Sequence, residues 1–136
     1  MIKKIQKWLK RHETYRHQII DQFRDKGQIE HHGSHFTWTY EDQTYQLLFY
    51  KIPYSQELTI NSKLIWEIHY AGGSRLINQT HFLSSKQPKI VIIYPSALKI
   101  KRYINENEMV FVEPNDFFHN MHVIRGIDVQ PFLESK

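Results

Sequence analysis

Residues 89 to 94 read Lys89-Ile90-Val91-Ile92-Ile93-Tyr94, and Pro95-Ser96 follow. An apolar run rich in β-branched residues, without polar alternation, is the pattern of a strand covered on both faces. Pro95 stops it, because proline cannot donate to a ladder. The purely apolar part, IVIIY, is five residues long. A membrane-crossing helix needs about 20, so the run belongs in a protein core and no transmembrane segment is expected. An internal strand requires a partner on each side and an apolar cover on each face, and the flanking sequence must supply them.

Upstream, Lys63 to Tyr70 places Leu64, Trp66, Ile68 and Tyr70 on one face of a strand. Gly72-Gly73 interrupts it, and Ser74 stands where it caps a helix over Arg75 to Leu83. Farther upstream, Phe36, Trp38 and Tyr40 alternate with His35, Thr37 and Thr39, which predicts a half-buried strand over 35–40. Glu41-Asp42-Gln43 makes a polar turn, and Thr44 to Ile52 returns as the second strand of a hairpin that ends at Pro53. Gln28 to His31 predicts a short strand before the Gly33-Ser34 turn, and residues 53–62 read as loop. Beyond Pro95, Ser96 predicts a capped helix over Ala97 to Ile104. Glu108 to Val112 then predicts a strand, and His122 to Ile124 an extended piece before a C-terminal turn.

At the start of the chain, Ile2, Ile5, Leu9, His12, Arg16, Ile19 and Phe23 recur every three or four residues, and Trp8, Tyr15 and Ile20 widen the stripe. This predicts an amphipathic helix over 2–26, with Ile5, Leu9, Ile19 and Phe23 inward and Lys3, Lys7 and Lys10 solvated. Gly27 is the expected C-terminal stop. The order helix, antiparallel strands, helix, central strand, helix, strand predicts an α/β (α+β) fold. We expect a single-domain mixed β-sheet with an N-terminal amphipathic helix and packing helices. The 136 residues have the length of one domain, spanning 1–136.

Cysteine is absent, which excludes disulfides, thiolate catalysis and cysteine-held zinc, and fits a reducing, cytoplasmic location. The polar run RHETYRHQ follows MIKKIQKWLK where a signal peptide would place its apolar core, so no export signal is expected. The net charge of +4 is unevenly placed: residues 1–26 carry eight Lys or Arg against three Asp or Glu, and the remainder ten against eleven. The basic excess therefore lies on the first helix. Its Lys3, Lys7, Lys10 and Arg11 are the candidate contacts to nucleic-acid phosphates.

No Walker loop, dinucleotide fingerprint or HExxH motif occurs. His31, His32 and His35 flank a turn around which they converge, and His119 and His122 meet only if their segment is a turn or helix. Gly72-Gly73-Ser74, with Arg75 beside it, reads as a turn whose amides face an anion at most. Glu67 and His69 are the most informative pair. In a strand they share one side while Leu64, Trp66 and Ile68 point away. A carboxylate and an imidazole so placed ligate a divalent cation or order a water, if a third polar group joins them. Asp42, Glu30 and Glu57 are the candidates from earlier elements.

The succession of an opening helix, antiparallel strands, a strand carrying Glu67-x-His69, a helix and a later apolar strand resembles the nuclease-related, restriction-endonuclease-like fold. The likeness runs from Ile2 to Val112, and its local part is WEIHYAGG at 66–73. By this resemblance Glu67 takes the metal-binding glutamate position and Asp42 is the upstream aspartate. Mg2+ or Mn2+ is then the cofactor of phosphodiester hydrolysis on nucleic acid. His69 stands where that family has a lysine, so the permanent positive charge is missing. Lys51, at a strand end, is another route to that charge. A degenerate relative that binds without cutting is therefore implied alongside an active phosphodiesterase. Two further readings need no metal. Phe36, Trp38, Tyr40, Tyr45 and Phe49 form a stacking platform for nucleic acid if exposed, and an uncovered edge strand suits a protein or homo-oligomeric partner.

Overall fold

The computed structural model describes the backbone of residues 2–33 and 35–136 and the side chains of 13–33 and 35–136. Helix α1 (Ile2–Lys26) opens the chain. There follow β1 (Gln28–His32), β2 (His35–Tyr40), β3 (Gln43–Ile52), β4 (Glu57–Ile60) and β5 (Ile65–Tyr70). Next come β6 (Gly73–Asn78), β7 (Lys89–Pro95), β8 (Ile100–Asn105), β9 (Glu108–Phe111) and β10 (Met121–Arg125). A 3-10 turn, Gly126–Asp128, leads into helix α2 (Val129–Glu134).

The strands divide into two mixed sheets. The inner sheet has the order β1-β2-β3-β7-β10 and the outer sheet β6-β5-β4-β8-β9. Strand β7 runs parallel to β3 on one side and to β10 on the other. Its pleat shows why an unbroken apolar run was needed. Ile90 and Ile92 face α1 and α2, among Ile19, Phe23, Trp38, Leu47 and Phe132. Val91 and Ile93 face the outer sheet, among Ile52, Leu58, Trp66 and Ile68. The result is a single-domain α+β fold of three layers: helices, inner sheet, outer sheet.

Two corners join the sheets. Strand β3 passes into β4 and β7 into β8, with β3 parallel to β7 in the inner sheet and β4 parallel to β8 in the outer sheet. The corners lie side by side, tied by Ala97 N–H to the Ile52 carbonyl at 3.2 Å and Leu98 N–H to the Gln56 carbonyl at 2.7 Å. This pairing brings β8 beside β4.

The hairpin, the internal strand and the N-terminal helix form where expected; three other segments differ. Residues 53–62 were expected to be loop but contain β4, whose Leu58 and Ile60 are buried while Thr59 points the other way. The helix expected over 75–83 is replaced by β6, because Tyr70 and Gly73 close a tight hairpin with Gly72 at φ 93°. After Asn78 the chain turns again, the Asn78 side chain accepting from Thr80 N–H and Oγ1–H. The helix expected over 97–104 is replaced by β8. Ala97 adopts φ 62° and Ser96 Oγ donates to the Ala97 carbonyl, so Ser96 caps nothing.

Candidate functional site

The outward face of the outer sheet carries the Glu67 and His69 pair. In β5, Trp66 and Ile68 enter the core, so Glu67 and His69 point to the other side, as a period of two requires. Ser74 on β6 donates its hydroxyl to Glu67 Oε2 at 2.8 Å, and Asn61 after β4 donates Nδ2–H to Oε1 at 3.4 Å. These two hydrogen bonds, Ser74 first, hold the Glu67 carboxyl below its ordinary pKa against a small desolvation cost. His69 Nε2 lies 3.9 Å from Glu67 Oε1 and hydrogen-bonds Thr59 Oγ1 at 3.1 Å. Both members of the pair thus belong to a hydroxyl-rich network across β4, β5 and β6.

Two of the proposed third ligands lie on the other sheet, and the third is adjacent to the pair. Asp42 sits in the turn between β2 and β3 of the inner sheet. Glu30, on β1, has its carboxylate 3.3 Å from His32 Nε2. Glu57 is the register partner of His69 across β4 and β5. Among the described residues no group of three His, Asp or Glu side chains is placed to hold a metal ion. Mg2+ demands near-octahedral oxygen coordination, and two donors, one already accepting hydrogen bonds at both oxygens, fit it poorly. Lys51, at the end of β3, is half-buried, and desolvation lowers its pKa.

The other candidates separate in the same way. His32 stacks on His35 at 5.5 Å between ring centroids, and His31 on Phe36 at 4.5 Å. His119 lies against Phe118, whereas His122 is buried among Phe117, Phe132 and Tyr45 with its Nδ1 2.9 Å from the Asp116 carbonyl oxygen. Trp38 is buried in the core beneath the helices, and Phe36, Tyr40, Tyr45 and Phe49 are half-buried against it. Gly72-Gly73-Ser74 joins two strands instead of opening a helix, and the amides of a helix start are absent there. Lys3, Lys7, Lys10 and Arg11, with Ile5 and Leu9, lie on α1 but outside the residues whose side chains are described.

Residues that the sequence reading passed over complete the same outer face. One cross-strand row runs Leu76, Glu67, Thr59, Lys101, Phe111, through four successive pairings. At its β8 and β9 end, Phe111 is 56 % exposed, with Lys101 Nζ 5.5 Å and Lys99 Nζ 5.9 Å from its ring centroid. Tyr103 pairs with Met109 beside it, and both are exposed. The signal was available: once Ile100 to Asn105 is taken as a strand, Lys101 and Tyr103 fall opposite Ile100 by alternation. No helix among the described residues is long and apolar enough to cross a membrane. Comparison with protein-family models, curated proteins and solved structures finds no match.

Proposed function

We propose that this protein is a non-catalytic nucleic-acid-binding module that takes a single strand on the β8 and β9 end of its outer sheet. The observation that carries this reading is Phe111, a ring 56 % exposed on the outward sheet surface with two lysine ammonium groups over it and Tyr103 alongside. A base stacked on such a ring contributes about 1–3 kcal/mol, whatever its identity, and ammonium groups within reach contact the flanking phosphates. Lys3, Lys7, Lys10 and Arg11 belong to α1 in the opposite outer layer, and any phosphate contacts they make are separate and sequence-independent.

Metal-dependent phosphodiester hydrolysis is the alternative. It has less support, because the Glu67 oxygens already accept from Ser74 and Asn61 and His69 brings no permanent charge. A nuclease-like chain altered in this way retains binding and loses cutting, so the proposed role also suits the resemblance. A cytoplasmic location, where nucleic acid is at hand, belongs to the same proposal. A protein partner or a second copy of the chain is the competing occupant of the face.

The test is fluorescence anisotropy with labelled single- and double-stranded DNA and RNA at low and moderate salt. We expect salt-sensitive binding that favours single strands. Phe111→Ala should weaken it about tenfold or more, and Lys101→Gln should reduce the salt slope by about one. Absence of binding at low salt, or binding indifferent to both substitutions, rejects the proposal. Incubation of the same substrates with Mg2+ or Mn2+ decides the alternative. Cleavage that disappears in Glu67→Gln would replace the binding role with an enzymatic one.

A further inference from the structure

The outward face of the outer sheet has a chemical order that is balanced about its central strand. Across it runs the row Leu76, Glu67, Thr59, Lys101, Phe111, contributed by β6, β5, β4, β8 and β9 in turn. Strands lie about 4.8 Å apart, so Glu67 and Lys101 stand one strand to either side of Thr59, and Leu76 and Phe111 two. The outer two are apolar and open to solvent, Leu76 at 66 % and Phe111 at 56 %. The inner two carry opposite charges but are held two strands apart, and none of the ion pairs among the described residues includes Lys101. Glu67 accepts from Ser74 and Asn61, yet its two oxygens offer about four lone-pair sites and have room for a further donor. Leu76, at the far edge from Phe111, has no part in the stacking role given to that ring.

A row in this order is complementary to itself. Let a second copy be turned over about a two-fold axis that lies above Thr59 and runs along β4. Strand β4 then meets β4, β5 meets β8, and β6 meets β9. Glu67 of each copy faces Lys101 of the other, and Leu76 of each faces Phe111 of the other. In the next row the same operation brings Tyr103 of each copy to Ile65 of the other. Glu57 meets its own counterpart near the axis, where Lys99 on the adjacent segment offsets the like charge.

From this order we infer that a second copy of this chain docks face to face on the outer sheet, as a two-fold dimer in register at Thr59. The charge pairs fix the register, and the apolar ends supply contact area. A five-stranded face is about 20 Å wide, small for a lasting interface, so the dimer is transient and depends on concentration. It covers Phe111 and Lys101, which makes self-association a regulator of the proposed nucleic-acid site, because only the monomer presents that site. The regulatory consequence rests on the nucleic-acid reading; the dimer does not.

Sedimentation velocity of the full chain without nucleic acid, from about 10 µM to about 1 mM, should show monomer passing into dimer. Lys101→Glu sets acid against Glu67, and Glu67→Lys sets base against Lys101, so each should weaken the dimer about tenfold or more. Mixed in equal amounts, the two variants are complementary at both contacts, and their heterodimer should form about as readily as the wild-type dimer. Circular dichroism checks that each variant is folded. Should Glu67→Lys fail to fold, Leu76→Asp on the exposed edge strand answers in its place, and the dimer should again weaken. A wild-type chain still monomeric at about 1 mM overturns the inference, as does a folded variant that dimerises undiminished or a mixture of the two charge variants that stays monomeric. A short oligothymidylate added to the wild-type dimer should yield monomer carrying the strand. A strand bound to the intact dimer overturns the regulation, whereas a strand that does not bind at all defeats the nucleic-acid reading and leaves the dimer standing.

Discussion

The Phe23 carbonyl accepts two hydrogen bonds, from Gly27 N–H at 3.0 Å and from Trp38 Nε1–H at 2.8 Å, and so joins the end of α1 to β2. Gly27 ends the helix as its sequence position suggests, but not through the left-handed conformation that usually selects glycine there. The reason is closeness. A Cβ on Gly27 would lie 2.5 Å from the Thr39 carbonyl oxygen and 2.7 Å from Trp38 Nε1. Replacing glycine by alanine ordinarily gains about 0.4–1 kcal/mol through the unfolded chain where the native conformation tolerates it. Overpacking against backbone and a buried indole costs about 1–3 kcal/mol, and it wins here. Gly27→Ala should therefore lower unfolding stability by about 1–2 kcal/mol in urea titration, and an unchanged or raised midpoint would remove the argument. Sequence alone exposed part of this detail. The stop at Gly27 was legible, whereas the indole packed against it comes from a residue whose depth no local pattern reports. Glu67 and His69 were likewise legible as a same-side pair, because two residues of strand suffice to set a face. Their partners Thr59, Asn61 and Ser74 were not, since they come from segments read as loop and helix.

Strands differ in how much of their pairing and burial they own, and this separates the elements the sequence revealed from those it hid. β7 is paired on both sides and buried from Lys89 to Ile93, so its composition alone declares it. Lys89, its one charged member, is accommodated by donating to the Ser85 and Gln87 carbonyls. β4 is equally central to the outer sheet but only four residues long, too short for alternation to stand out against the turns around it. β6 is an edge strand exposed at every position except Ile77, so it carries almost no apolar signature. Spacing in RLINQTHFL then mimics a helix, and only the closed turn at Gly72-Gly73 decides for a strand. The same contrast predicts native-state amide exchange. Val91 to Ile93 should open only with the whole domain, whereas β6 can fray alone. Their exchange rates should differ by roughly a thousandfold or more, equivalent to about 4 kcal/mol of opening free energy. Exchange in β7 as fast as in β6 would show that β7 is not the internal strand of a cooperative core.

Taken whole, the chain lays two helices and two sheets in three layers, and His122 is where several of the pieces meet. Its ring lies 6.0 Å from Tyr45 on β3, 5.0 Å from Phe117 in the preceding loop and 5.1 Å from Phe132 on α2. Burial, and then the Lys136 charge, lower its pKa, and they outweigh the opposing pull of its hydrogen bonds to the Asp116 and Pro114 backbone and of the Asp116 charge. His119 is shifted the same way by burial and by Arg102 and Lys63. The sign of the consequence follows from proton counting. Below the ordinary histidine pKa of about 6.5, the unfolded chain takes up protons that the folded chain resists. Stability is therefore level above that value and falls as pH drops below it, down to the lowered folded pKa. Glu67 acts lower still. Its folded pKa is depressed, so its contribution is complete above the ordinary carboxylate range and is lost as pH falls through the folded value. Urea unfolding measured from pH 8 to pH 5 should show a plateau and then a decline of at most about 1.4 kcal/mol per pH unit for each histidine involved. In His122→Phe the ring contacts remain while the proton site is gone, so the decline should become shallower even if the plateau is lower for want of the Asp116 hydrogen bond. A wild-type profile flat from pH 8 to pH 5, or a variant that declines as steeply as wild type, would mean that His122 is solvated and that α2 does not close over the inner sheet as described.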